Sequence, residues 1–194
     1  MCIRDSIKTV QESLVGNRIE SMIGIINGTS NYILTRMTDA DLSYQDALKE
    51  AQDLGYAEAD PTLDINGGDA AHKAVILASL SYGVWVPFDE VHMEGIDTVR
   101  RVDIQFADDL GYALKLLAVV RVCCADRIEV RVQPSLVPKT HILASVNGVF
   151  NAIAVRGDIV GETLFYGSGA GQDPTSSSVI SDLADAALLS LIHI

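Results

Sequence analysis

Residues 112–134 read Tyr-Ala-Leu-Lys-Leu-Leu-Ala-Val-Val-Arg-Val-Cys-Cys-Ala-Asp-Arg-Ile-Glu-Val-Arg-Val-Gln-Pro. In the second half, Ile128, Val130 and Val132 alternate with Glu129, Arg131 and Gln133. Successive side chains of a strand point to opposite faces, so this alternation describes a half-buried strand. The pattern predicts strands over Tyr112–Cys124 and Ile128–Pro134, joined by a hairpin turn at Ala125-Asp-Arg127. A second pair is expected over Val149–Val155 and Ile159–Tyr166, turned at Gly157-Asp158. Strands joined by so short a turn run antiparallel, because a parallel return needs a crossover on the order of a dozen residues.

Upstream, the period is mostly helical. Ile7–Gly16 is expected to be a helix with Val10, Leu14 and Val15 inward. Arg18–Ile26 is a short apolar run suited to a buried strand. The small turn Asn27-Gly28-Thr29 follows and lets a ligand come close to the backbone. Thr29 or Ser30 can cap a helix over Asn31–Met37. Ser43 and Asp46 resemble a capping box for the next helix, with Leu42, Ala47, Leu48, Ala51 and Leu54 at helical spacing and Gly55 at its C-terminal exit. Asp69–Tyr82 is alanine-rich and apolar over much of its circumference, so it is expected to be buried on more than one side. Val84–Met93 reads as a connecting loop, Asp103–Leu110 as a short helix and Thr175–Leu188 as the last helix. Helices lead and strands follow. That order gives an α+β fold with a mostly antiparallel sheet and helices packed on one face.

The chain has 194 residues, of which 48% are hydrophobic and 21% charged, enough for one domain with a sizeable core. Its net charge of −12 argues against nucleic acid and against an anionic membrane as partners. No apolar run approaches the ~20 residues a spanning helix needs. The three cysteines, Cys2, Cys123 and Cys124, show neither metal spacing nor a disulfide framework. A reducing, cytoplasmic setting is the natural reading.

The chemistry concentrates in Leu54–Lys73, which carries four carboxylates, Glu58, Asp60, Asp64 and Asp69, before a single lysine. Asp69 and Lys73 are four residues apart and share a helix face. Taken alone, such a pair is most often a surface ion pair of little consequence. A calcium loop starting at Asp64 fails, since Gly68 falls where a ligand should be, and no histidine pair has zinc spacing, so no metal is expected. Tyr166-Gly-Ser-Gly-Ala-Gly171 is a glycine loop before the last helix, where backbone amides suit an anion. It lacks the third spacing of a dinucleotide fingerprint.

Two motifs at a fixed separation are far more specific. Gly55-Tyr-Ala-Glu-Ala-Asp-Pro61, then Asp64, then Asp69-Ala-Ala-His-Lys73 resembles the signature of homoserine dehydrogenases. Asn27-Gly-Thr-Ser-Asn-Tyr-Ile-Leu34 resembles a second motif of that family, at the expected distance upstream. The resemblance covers about residues 7–188, as a catalytic, substrate-binding and dimerisation domain. Residues 1–6 and 189–194 fall outside it and are read as non-native ends. The resemblance implies an oxidoreductase that interconverts L-aspartate 4-semialdehyde and L-homoserine with NAD or NADP, on the route to threonine, methionine and isoleucine. It implies Lys73 as proton donor, with Asp69 beside it to favour the charged ammonium in a dry pocket. Glu58 matches the residue that binds the substrate amino group. Asp64, Tyr56, Gly28 and Thr29 match positions lining the substrate pocket. Gly167, Gly169 and Gly171 match a loop near the cofactor. His141 also lies in a family-like segment, although a histidine satisfied within a loop is the plainer reading. The family's dinucleotide-binding half is absent upstream of residue 7, so the chain by itself is expected to be inactive. A homodimer is implied as well. Another amino-acid semialdehyde dehydrogenase, and a non-catalytic dimerisation module, remain as alternatives.

Overall fold

The computed structural model describes residues 3–123, 127–169 and 171–192. Cys2, Cys124, most of the expected hairpin turn (Ala125 and Asp126), Ala170 of the glycine loop and the last two residues lie outside them.

Helix α1 (Ile3–Lys8) passes into a single π turn, Thr9–Ser13. Strand β1 (Ile19–Ile25) follows, then helices α2 (Gly28–Asp39), α3 (Tyr44–Asp53), α4 (Thr62–Ile65) and α5 (Gly68–Tyr82). Next come β2 (His92–Met93), α6 (Arg101–Asp109), β3 (Tyr112–Val122) and β4 (Ile128–Pro138). The order ends with β5 (Phe150–Gly157), β6 (Gly161–Ser168) and the long α7 (Gln172–Ile192). The six strands form one sheet in the order β2-β4-β3-β1-β5-β6. Among the described residues only the β2–β4 pair is parallel, and the other four pairs are antiparallel. The α+β fold with a mostly antiparallel sheet is therefore what the chain adopts.

β1 is central. Met22 faces Val120 of β3 on one side and Val155 of β5 on the other. Gly24 lets those neighbours close, because a Cβ there would stand 2.5 Å from the Ala152 carbonyl oxygen. β3 shows why its sequence is a nearly continuous apolar run while β4 alternates. Leu116, Ala118 and Val120 pack into the main core with Ile33, Met37, Ala74 and Ile104 of the helices. Leu117 and Val119 point to the opposite face, where Val137 of β4 lies beside them and Leu143 and Val146 pack over them. That second face is closed by the short turn Ile142–Ser145, so the core-forming helices lie on one side only. The small Ala70, Ala71, Ala74 and Ala78 bring α5 close to the main core.

Several local expectations are corrected. Val10 and Leu14 are buried, but Val15 is 77% exposed, because the π turn ends the helical run before it. α2 begins at Gly28 and is capped by Asn27, not by Thr29 or Ser30. α5 buries one face only, with Ile76 44% and Leu80 40% exposed. Leu54 stands at the end of α3, 55% exposed. The expected loop over Val84–Met93 contains β2, whose pairing to Arg131 and Val132 makes the sheet mixed. β4 extends to Pro138, β6 begins at Gly161, and α7 starts at Gln172 and runs past Leu188. α1 likewise continues across the Ser6–Ile7 boundary, and its Arg4 pairs with Asp182 and Asp185 of α7. Among the described residues no helix is long and apolar enough to cross a membrane.

Candidate active site

β1 delivers the chain to Ile26 and Asn27 at one end of the sheet, and the turn there organises everything nearby. The Asn27 backbone is extended, and its side-chain Oδ1 accepts a hydrogen bond from the Ser30 amide at 2.8 Å, which starts α2. This leaves Nδ2 to point away from the helix. It donates to Asp64 Oδ1 at 2.7 Å and to Asp69 Oδ2 at 2.9 Å. One neutral amide thus holds two carboxylates of like charge side by side. The Ser30 hydroxyl donates to the Asp64 carbonyl at 2.7 Å and the Thr29 hydroxyl to the Tyr56 carbonyl at 2.8 Å. Both ends of the acidic loop are in this way fastened to the first turn of α2.

The loop itself is shaped by turn chemistry. Asp60 accepts from the Thr62 hydroxyl and amide, which starts the single turn of α4 and lowers the Asp60 pKa. Gly67, at φ +84°, turns the chain into α5. Asp69 falls in the first turn of α5, where a carboxylate is favoured by the helix dipole. Lys73 lies one turn on. Its Nζ donates to Asp69 Oδ2 at 2.6 Å and to the Ile26 carbonyl at 3.1 Å. An ammonium has three donors, and the third has no partner among the described residues. The pair is half-buried, with 28% of the lysine side chain and 32% of the aspartate exposed, so a ligand can reach it.

Beside the pair is a cleft of about 240 Å³ lined by Glu58, Asp60, Leu63, Asp64, Asp69 and His72. Its acidic walls suit a ligand ammonium group. His72 is stacked on Phe88 with ring centroids 4.1 Å apart. Tyr56 stands at 44% exposure with its ring 4.9 Å from that of Tyr32. Among the described residues no group of three or more His, Cys, Asp or Glu is arranged to hold a metal ion.

The structure brings Lys73, Asp69, Asp64, Gly28, Thr29 and Tyr56 together through these contacts, with Glu58 on the wall of the cleft. The glycine loop reaches the same end of the sheet through β5 and β6. Gly167 pairs with Asn151, and a Cβ on Gly169 would overlap the Asn151 amide nitrogen. Asn151 Oδ1 in turn lies 3.6 Å from where a Gly28 Cβ would stand. Gly171, at φ +118°, lies just before α7. His141 stands apart from this cluster, its Nδ1 accepting from the Leu143 amide.

The sequence placed Asn27 in the turn and the upstream motif without giving it a role of its own, and did not mark Asn151. The signal for Asn27 was present, since an asparagine before a helix start is a favoured cap. Nothing local marks Asn151, which acquires its place only when β5 and β6 pair. Asn31 and Lys115 were missed too, and they form a buried polar strut. Asn31 Nδ2 reaches the carbonyls of Val146, Gly148 and Phe150, and Lys115 Nζ donates to Val146 O, Asn147 Oδ1 and Asn31 Oδ1.

The Homoserine dehydrogenase family profile matches residues 6–184. The chain belongs to the homoserine dehydrogenase family. It is 51% identical over 183 residues to the homoserine dehydrogenase of Neisseria gonorrhoeae, covering 94% of this chain and 42% of that protein. It is likewise 51% identical over 179 residues to that of Pseudomonas aeruginosa, covering 92% of this chain and 41% of the relative. Among solved structures, a homoserine dehydrogenase from Thiobacillus denitrificans superposes with a TM-score of 0.92 at 49% identity, covering 96% of this chain and 43% of that one. A hyperthermophilic archaeal homoserine dehydrogenase mutant in complex with NADPH superposes with a TM-score of 0.79 at 32% identity, over 96% of this chain. The chain therefore spans about two fifths of the length of the curated homoserine dehydrogenases it matches.

Proposed function

We propose that this chain is the substrate-binding and proton-transferring part of a homoserine dehydrogenase, which interconverts L-aspartate 4-semialdehyde and L-homoserine. The observation that carries the reading is Lys73, anchored by two hydrogen bonds and with a third donor open beside an acidic cleft. A bound NAD or NADP supplies or accepts the hydride. The orphaned Asn151 Oδ1, whose carboxamide packs where only a glycine fits at residue 169, is an acceptor that a dinucleotide's ring end could pair with.

In the reducing direction, a hydride reaching the aldehyde carbon puts charge on its oxygen. The Lys73 ammonium polarises that oxygen and then gives it a proton, leaving a neutral amine and an alcohol. Asp69 and the Ile26 carbonyl fix the direction of the Lys73 Nζ, and Asn27 fixes Asp69. Glu58 takes the substrate ammonium by a charge-assisted hydrogen bond, and Asp64 and Asp60 add to the negative field of the cleft. Tyr56, Gly28 and Thr29 border the same turn. Assembly as a homodimer in the cytoplasm completes the proposal.

The test replaces the matching segment of the Neisseria gonorrhoeae homoserine dehydrogenase with this chain and measures steady-state kinetics. Lys73→Ala is expected to lower kcat by ~10²–10⁴-fold with little change in KM, because a proton donor acts in the transition state. Glu58→Ala should chiefly raise KM for the amino-acid substrate. A chimera that reduces another semialdehyde better than L-aspartate 4-semialdehyde would favour the alternative dehydrogenase. Near-parental kcat in Lys73→Ala would make Lys73 structural.

A further inference from the structure

Asn151 lies on β5 at the end of the sheet where the Asn27–Thr29 turn meets the glycine loop. The residue is 6% exposed, and its Oδ1 is buried with no hydrogen-bond partner. An unpaired buried acceptor costs about 1–3 kcal/mol, and native structures seldom keep one without a use. Two close approaches frame the carboxamide. Gly28 would place a Cβ 3.6 Å from Oδ1, and a Cβ on Gly169 would overlap Nδ2. Lys73 hangs from the Ile26 carbonyl, two residues before Gly28. The orphaned oxygen and the open ammonium donor therefore border one turn from two sides.

Resting on the function proposed above, we propose that Asn151 binds the carboxamide of the nicotinamide ring, its Oδ1 accepting the ring amide's N–H. Hydride transfer requires reacting atoms ~3–3.5 Å apart. The ring must then lie flush against the substrate carbonyl that Lys73 protonates, and the Gly28 turn is where both can be reached. A carboxamide offers a donor and an acceptor, which match Oδ1 and Nδ2 of asparagine together, whereas an ammonium matches Oδ1 alone. The substrate ammonium also has its own acidic cleft, lined from the Glu58–His72 segment with no residue of β5. Asn151 thus sets where the ring stops, and Gly169 is small so that the amide can face the site.

The experiment uses the Neisseria gonorrhoeae chimera described above, selectively ¹⁵N-labelled at asparagine, titrated separately with reduced nicotinamide mononucleotide and with L-homoserine. Reduced nicotinamide mononucleotide is expected to move the Asn151 side-chain amide resonances and to raise the melting temperature. Asn151→Leu should weaken its binding by about tenfold more than it weakens homoserine binding, the worth of one buried hydrogen bond. It should not lower the melting temperature of the ligand-free chimera, since an unpaired acceptor is replaced by an apolar group of similar size. Gly169→Ala, whose methyl would displace the carboxamide from a loop position, should show the same selective loss. An Asn151 signal that responds to homoserine only would assign the oxygen to the substrate, and equal losses for both ligands would show that Asn151 does not read the ring; either overturns the proposal. A destabilised Asn151→Leu with unchanged nucleotide affinity would make Asn151 structural. If homoserine binds the parent chimera and the mononucleotide does not, the proposal falls while the functional reading stands; if neither binds, both fall.

Discussion

Lys115 offers a quantitative test of how the fold holds a buried charge. It sits in β3 between Leu114 and Leu116, 3% exposed, and donates to the Val146 carbonyl at 2.6 Å, Asn147 Oδ1 at 2.9 Å and Asn31 Oδ1 at 3.3 Å. No carboxylate is among those partners. Burial pushes its pKa from 10.5 down to about 8, and Asp39 opposes that only in part. Between pH 8 and 10.5 the unfolded chain therefore binds the proton that the folded chain releases, and stability rises with pH. For a pKa of about 8 folded and about 10.5 unfolded, the penalty is about 3 kcal/mol at pH 8 and about 1 kcal/mol at pH 10, a gain of about 2 kcal/mol. Tyr32 and Tyr82, both pushed up to about 12 with burial the largest cause, act in the opposite sense, but only above about pH 10, where unfolded tyrosines ionise first. Lys115 lines a second cleft, away from the acidic one, whose other charges are Asp39 and the paired Asp108 and Lys139. Urea unfolding of the parent and of Lys115→Met at pH 7, 8, 9 and 10 isolates the effect, because the difference between them should shift by about 2 kcal/mol in favour of the parent from pH 8 to 10. A constant difference across that range would refute the buried-charge account, whatever the absolute stability of the variant.

Two further outcomes are expected. Gly24→Ala drives a Cβ against the Ala152 carbonyl and the Ile153 Cα across the β1–β5 pair, so it should cost about 1–3 kcal/mol in urea unfolding; a neutral result would mean that β5 can shift without loss. Asn27→Ala removes the cap of α2 and the amide between Asp64 and Asp69, so it should lower stability by about 1–2 kcal/mol. In the Neisseria chimera the same change should lower kcat, and Asn27→Ser, which keeps a cap, should restore stability but not kcat. Recovery of both by serine would limit Asn27 to capping.

Much of the fold was legible because its signals are local. Alternation in β4, the cap and spacing of α3, and the Gly55 exit are each contained within a few residues. The order of strands was not legible, since β1 finds β3 and β5 by contacts far apart in the chain. β2 was hidden because a two-residue strand has no period to read. Thr29 and Ser30 are good caps by type, yet their hydroxyls are spent on the Tyr56 and Asp64 carbonyls, so tertiary contacts decided the start of α2. The site was legible as far as its charged motif extends. The neutral amides of Asn27, Asn31 and Asn151 carry no such mark, and only the assembled sheet gives them partners or leaves one without.

The central place of β1 has a consequence for synthesis. A ribosome releases the N-terminus first, and β1 ends at residue 25, whereas its two neighbours begin at residues 112 and 150. Until those strands emerge, both rows of β1 amides and carbonyls are open to any other extended chain. A nascent chain paused before residue 150 already carries the whole acidic segment and Lys73, yet one flank of β1 is bare and Asn151 does not exist. Chaperone capture and stray pairing should therefore concentrate on this interval of translation, and the same interval is where slow codons would do most harm.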